Sequence, residues 1–266
     1  MDLELRGRVA VVTGGSRGIG KSVARVLAEE GADLALVARR QPPLAATAEE
    51  IAGATGRRVL PIVADTIDER SVDRMVEQVV TTLGRIDILV NGAAAPGYLT
   101  GSPNLSTITS ELFQEKMDEK VMGYLRCARA VAPAMIRQGW GRIVNISGLN
   151  ARVAGNAVAS MCNVAVAALA KNLADELGPH GINVTVIHPW ATRTEEWAEV
   201  VVDRARMAGT TVEEIERRLV GPVTIGRLLD AREVAYVVAF LVSPKAVAIN
   251  GDAISVGGGY RGAIYY

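Results

Sequence analysis

Residues 8–20 read Arg8-Val9-Ala10-Val11-Val12-Thr13-Gly14-Gly15-Ser16-Arg17-Gly18-Ile19-Gly20, an apolar run that passes straight into a glycine-rich turn. A strand is expected over 8–13 and a helix over 19–30, ended by Gly31. In such a strand–turn–helix unit each glycine has its own task. Gly14 permits the tight turn, Gly18 lets the backbone approach a pyrophosphate, and Gly20 lets helix and strand pack closely. The exposed N–H groups of the helix start, beside Ser16, Arg17 and Ile19, then face the phosphates.

Outward from this turn the pattern repeats. Strands are expected over 33–38, 59–64, 86–90, 142–146 and 183–187, and helices over 43–52, 68–82, 111–137 and 157–177. A long loop follows Asn91 to about residue 107. The strands are nearly continuous apolar runs, which is the mark of a parallel sheet covered on both faces. The expected fold is therefore α/β: a doubly wound, Rossmann-like parallel sheet in three layers, forming a single domain over 1–266. Residues 195–220 look like an inserted helical segment.

Composition bounds the function. The 266 residues are 49% hydrophobic, enough for a large core, and 29 Lys+Arg balance 29 Asp+Glu. A zero formal net charge argues against nucleic acid as main partner. No uninterrupted apolar run reaches membrane-spanning length, and the start Met1-Asp2-Leu3-Glu4-Leu5-Arg6 lacks a signal-peptide layout. Two cysteines without a C-x-x-C spacing and two histidines make a disulfide framework or a metal site unexpected. A small-molecule substrate and a cytoplasmic location are expected.

The motifs together resemble the short-chain dehydrogenase/reductase family from about residue 5 to 259, particularly its ketoacyl-reductase-like members. The family's T-G-x-x-x-G-x-G is Thr13 to Gly20. Its acidic residue near the adenine matches Asp65, with Thr66 beside it. Its N-A-G matches Asn91-Gly92-Ala93 with the last two residues exchanged. Its P-G-x-x-x-T matches Pro189-Trp190-Ala191-Thr192-Arg193-Thr194, and Gly251 with Gly257 to Gly259 resembles the C-terminal ending. The resemblance implies a nicotinamide cofactor held by these residues and a homodimer or homotetramer paired through its two long helices. Val158, Met161, Ala165, Ala168 and Leu169 suit such a contact.

The end of the second strand reads Val37-Ala38-Arg39-Arg40. A carboxylate there would bind the 2′-hydroxyl of NAD. Two guanidinium groups, with Arg17 nearby, suit a 2′-phosphate instead, so NADP(H) is favoured over NAD(H).

The catalytic positions depart from the family. Members reduce a carbonyl with an Asn, a Ser and a Y-x-x-x-K pair, whose ammonium lowers the phenol's pKa. Here the tyrosine position is Ala159 and the lysine position Asn163. No tyrosine lies between Tyr124 and Tyr236. Ser147 matches the serine, and Lys120 stands where the family has Asn. The Asn→Lys and Lys→Asn exchanges suggest a cation moved between facing helices, with Lys120 in reach of Asn163. Candidate substitute proton donors are Tyr98 and Tyr124, with Ser160 and Cys162 beside the vacated position. Trp190 replaces a glycine near the cofactor, and His188 precedes Pro189. The tail after Gly259, with Tyr260, Tyr265 and Tyr266, is too apolar for a solvated end and is expected to dock.

Three functions remain open on these residues: an atypical NADP(H) oxidoreductase with a substitute proton donor; a non-redox enzyme such as a lyase, isomerase or cyclase; or a non-catalytic nucleotide-binding subunit.

Overall fold

The computed structural model describes residues 1–93 and 105–263. Seven parallel strands form one sheet in the order β3-β2-β1-β4-β5-β6-β9. They are β1 (Val9–Thr13), β2 (Asp33–Ala38), β3 (Val59–Val63), β4 (Ile88–Asn91), β5 (Gly141–Ile146), β6 (Ile182–Pro189) and β9 (Ala253–Val256). A separate parallel pair joins β7 (Thr192–Arg193) to β8 (Leu229–Asp230).

Alternate residues of each central strand feed opposite layers. Ala10 and Val12 pack with α1 (Gly18–Glu29), α2 (Gln41–Thr55) and α9 (Ala231–Leu241). Val9 and Val11 pack with α3 (Glu69–Leu83), α5 (Gly123–Gln138) and α6 (Ala157–Leu177). Burial on both faces explains why the strands are apolar throughout rather than alternating. The result is the expected three-layer, doubly wound α/β architecture.

One charge cluster secures the bottom of the sheet. Asp87 is fully buried and accepts from Val9 N at 2.9 Å, Arg8 Nη1 at 3.0 Å and Arg85 Nε at 2.7 Å. The carboxylate joins the starts of β1 and β4, the two strands where the winding direction reverses.

Most expected elements agree within two or three residues, and α6 agrees at both ends. Four differences matter. The fourth strand begins at Ile88, not residue 86. The expected helix 111–137 is α4 (Ser110–Lys116) and α5, separated by a π-helical turn, Met117–Met122. The insert is two helices, α7 (Trp197–Ala208) and α8 (Val212–Val220). Helix α9 and strand β9 lie beyond the elements expected from the sequence, although Asp230 and Glu233 carry a capping-box spacing; Glu233 Oε2 accepts from Asp230 N at 2.9 Å. Residues 157–180 are long and apolar enough to cross a membrane by length and composition. In this fold Val158, Cys162, Val166, Ala170 and Ala174 of that stretch pack into the core instead.

Candidate active site

The strand ends β1, β4, β5 and β6 open on one side into a cavity of about 1000 Å³. It begins over the β1–α1 turn, at the point where β1 has β2 on one side and β4 on the other. Crevices at such switch points are where doubly wound sheets bind ligands.

The glycine turn is built by close approach. A Cβ on Gly14 would lie 2.7 Å from Gly92 O, and one on Gly20 would lie 2.2 Å from Gly14 O. Neither position has room for a side chain. Gly18 has φ +59°, and a Cβ there would meet only Thr194 Cγ2, at 3.7 Å. Its face is a shallow cradle that a side chain would fill, and its N–H stands at the start of α1. Thr13 Oγ1 accepts from Gly92 N at 3.1 Å and Ala93 N at 3.2 Å, tying the β1 and β4 turns together. These residues fit a dinucleotide pyrophosphate.

Gly14, Ser16, Arg17, Gly18, Ile19, Gly20, Arg39, Arg40, Asp65, Thr66, Gly92, Ala93, Pro189, Trp190, Thr192 and Thr194 all line the cavity. Arg39 and Arg40 are exposed where β2 ends, on the cavity rim. Asn91 does not line it. Fully buried, it donates to Asn145 Oδ1 at 2.9 Å and pins the end of β4 to β5. The expected direct cofactor contact is thus corrected to a supporting one, because the Asn91 amide nitrogen donates inside the sheet layer, to Asn145 Oδ1 and Tyr124 O. Asn163 likewise stands behind the wall, 5% exposed.

Lys120 and Asn163 are brought together. Lys120 Nζ donates to Asn163 Oδ1 at 2.7 Å and to Ser147 O at 3.2 Å. Lys120 sits inside the π-helical turn, which carries it across α6, and it lines the cavity with Ser147 and Ala159. Gly148 makes room for this arrangement, since a Cβ there would lie 2.8 Å from Asn163 Nδ2. Burial pulls the Lys120 ammonium down to about 8. Ser147 Oγ donates to Asn163 O at 3.2 Å.

The other candidates separate clearly. Tyr124 lines the cavity, but its hydroxyl donates to Ile146 O at 2.8 Å, and burial pushes its pKa up. It is a poor acid here, which corrects its candidacy as a proton donor. Cys162 is buried, with its thiol pushed up chiefly by desolvation. His188 is fully buried, and burial lowers the imidazole to about 4, so it is neutral. Tyr98, Tyr265 and Tyr266 lie outside the described residues. Tyr260 packs edge to face against Trp190 and does not line the cavity.

The sequence did not reveal what closes the site. Trp190 Nε1 donates to Leu219 O at 3.0 Å, which ties the end of β6 to α8. From α7 and α8, Trp197, Val200, Ile215 and Leu219 line the far side of the cavity.

Fold and site together define a dinucleotide-binding, doubly wound α/β protein. The chain belongs to the short chain dehydrogenase family, whose model matches residues 8–205. It is 33% identical over 252 residues to the short-chain reductase protein NovJ of Streptomyces niveus, covering 94% of this chain and 93% of that one. It is 30% identical to the 3-oxoacyl-(acyl-carrier-protein) reductase FabG of Aquifex aeolicus (strain VF5), covering 97% and 99%. Among solved structures it resembles L-sorbose reductase from Gluconobacter frateurii complexed with NADPH and L-sorbose. The TM-score is 0.92 at 29% identity, over 99% of this chain and 100% of that one.

Proposed function

We propose that this protein is an NADP(H)-dependent carbonyl reductase in which the Lys120 ammonium does the work of the family's missing phenol. The observation that carries this reading is the 2.7 Å bond from Lys120 Nζ to Asn163 Oδ1, made by a lysine that lines the same cavity as Ala159. NADPH, when bound, supplies a hydride to the carbonyl carbon. Negative charge then builds on the carbonyl oxygen, and a nearby proton donor must meet it. A donor pKa close to the working pH is most effective. Lys120, lowered to about 8, satisfies that condition better than a free phenol of about 10. Asn163 holds the ammonium, and Ser147 lines the cavity beside it, its hydroxyl turned to Asn163 O. Arg17, Arg39 and Arg40 favour a 2′-phosphate. NADPH in the sorbose reductase structure supports the cofactor. One domain over 1–266, a homo-oligomer and a cytoplasmic location belong to the same reading.

A second reading is a non-redox enzyme or a nucleotide-binding subunit. It draws on Ala159, which has no proton to give, and on the Tyr124 hydroxyl, which is already committed.

The test is NADPH oxidation against a panel of ketones, sugar ketones and 3-oxoacyl thioesters. Turnover is expected to fall as pH rises through about 8. Lys120→Arg keeps a charge but cannot release a proton, so it should retain NADPH binding and lose about 100-fold or more in kcat. Tight NADPH binding without oxidation of any substrate would move the assignment to the second reading.

A further inference from the structure

The dinucleotide's phosphate donors are already engaged by the chain itself. Glu195 Oε1 accepts from Gly18 N at 2.8 Å, at the first residue of α1. The adjacent Glu196 Oε1 accepts from Arg17 Nη1 at 2.9 Å. Helix α1 has no acidic residue in its first turn, and its N-cap Arg17 makes no side-chain cap bond. The positive end of that helix is therefore met by a carboxylate from 177 residues away. A carboxylate and a phosphate oxygen are the same kind of partner for a helix N-terminus and for a guanidinium group.

The segment bearing the two carboxylates is joined to the insert. Trp197 N donates to Thr194 O at 3.1 Å, and Trp197 Nε1 donates to Glu216 Oε1 of α8 at 3.0 Å. Arg193 lies 3.8 Å from the same Glu216 carboxylate. Whatever moves residues 194–196 therefore pulls on both insert helices, which form the far wall of the cavity.

We propose that Glu195 and Glu196 are an acidic latch: they mimic the cofactor's phosphates at Gly18 and Arg17, and the dinucleotide must displace them to bind. This rests on the dinucleotide-binding reading of the site. The exchange is one of hydrogen bonds, with no covalent step. Glu195 competes with the pyrophosphate, which NADPH and NADH share. Glu196 competes for Arg17, and so weighs most on the 2′-phosphate that NADPH alone carries.

The test is calorimetric titration of the full-length protein, without substrate, with NADPH and with NADH. Glu195→Gln should tighten both nucleotides by about two- to fivefold. Glu196→Gln should tighten NADPH by a similar factor and NADH less. Glu199→Gln serves as control, since Glu199 adds charge to the same segment but makes no bond to the glycine turn. Thermal unfolding gives a second readout: the nucleotide-free Glu195→Gln protein should melt no higher than wild type, and its NADPH-induced shift should be larger. Unchanged or weaker nucleotide affinity in both variants overturns the latch, as does equal tightening by Glu199→Gln, which would make the effect one of general charge. Should wild type and variants alike fail to bind either nucleotide, the dinucleotide reading itself falls, and the latch with it.

Discussion

Trp190 and Tyr260 meet edge to face, their ring centroids 4.9 Å apart and their planes at 71°. The indole leaves the end of β6, and the phenol belongs to the chain's C-terminal segment. That segment also pairs with the residues after α8: Tyr260 bridges Val223, and Arg261 N donates to Pro222 O at 2.8 Å. Three parts distant in sequence are thus fastened at one point on the cavity wall. Edge-to-face pairs contribute about 0.5–1.5 kcal/mol beyond area burial. Truncation after Gly259 should lower Tm by about 2–4 °C for each kcal/mol lost. Tyr260→Ala should reproduce most of that drop. A truncated protein that melts with wild type would show that the tail is not docked in this way.

The lowered Lys120 pKa has a consequence for stability with a definite sign. The group sits at about 8 when folded against an ordinary 10.5. Between those values the unfolded chain holds the proton and the folded chain has lost it, so folding stability rises with pH. The penalty for burying the ammonium is fully present below pH 8 and fades toward pH 10.5. Wild type should therefore gain on Lys120→Met by up to about 3 kcal/mol across that window. Urea unfolding at several pH values measures it. A pH-independent difference would mean that Lys120 is solvated.

Two neighbouring glycines should respond in opposite ways. Gly20→Ala drives a Cβ to 2.2 Å from Gly14 O, and the turn has to move. A loss of about 1–3 kcal/mol in stability is expected. Gly18→Ala meets no close neighbour and bears only the left-handed strain of φ +59°, about 1 kcal/mol. It should stay folded yet lose NADPH affinity about tenfold, because its methyl group stands where the pyrophosphate approaches. Paired melting curves and NADPH titrations separate the two effects.

The outer face of α6 predicts the assembly. Met161 and Val164 are 46% and 51% exposed there, a large apolar presence on a long helix. Val158, expected at the same contact, instead faces the core. Light scattering should give a dimer or tetramer at micromolar concentration, and Val164→Asp should shift it toward smaller species. A wild-type monomer would contradict the expectation.

The parts legible in the sequence are those set by local pattern. The glycine turn could be read because the steric demands of Gly14 and Gly20 permit no other residue type. The strands could be read because burial on both faces makes them apolar throughout. Lys120 and Asn163 could be paired because the two exchanged residue types implied facing positions. The rest depends on distance in the chain. Nothing around Glu195 announces that its carboxylate closes on Gly18, since that contact exists only once the insert has folded back. Asn91 matched a motif, yet which way its amide turns is decided by Asn145 and the backbone of Tyr124. The tryptophan at 190 was visible as an anomaly, while its tether to Leu219 was not.

The π-helical turn at Met117–Met122 acts as a phase shifter in the helix that carries Lys120. It accommodates a surplus residue, and the apolar face of α5 resumes after it with Gly123, Tyr124 and Cys127 turned to the core. Removing one residue would restore the ordinary period and rotate everything before it by about 100° relative to α5. The ammonium would swing away from Asn163 with no side chain substituted. The chemistry of this site is therefore written partly in chain length: a single-codon deletion could switch the cation out of the cavity, and a single-codon insertion elsewhere in the helix could bring a different side chain in.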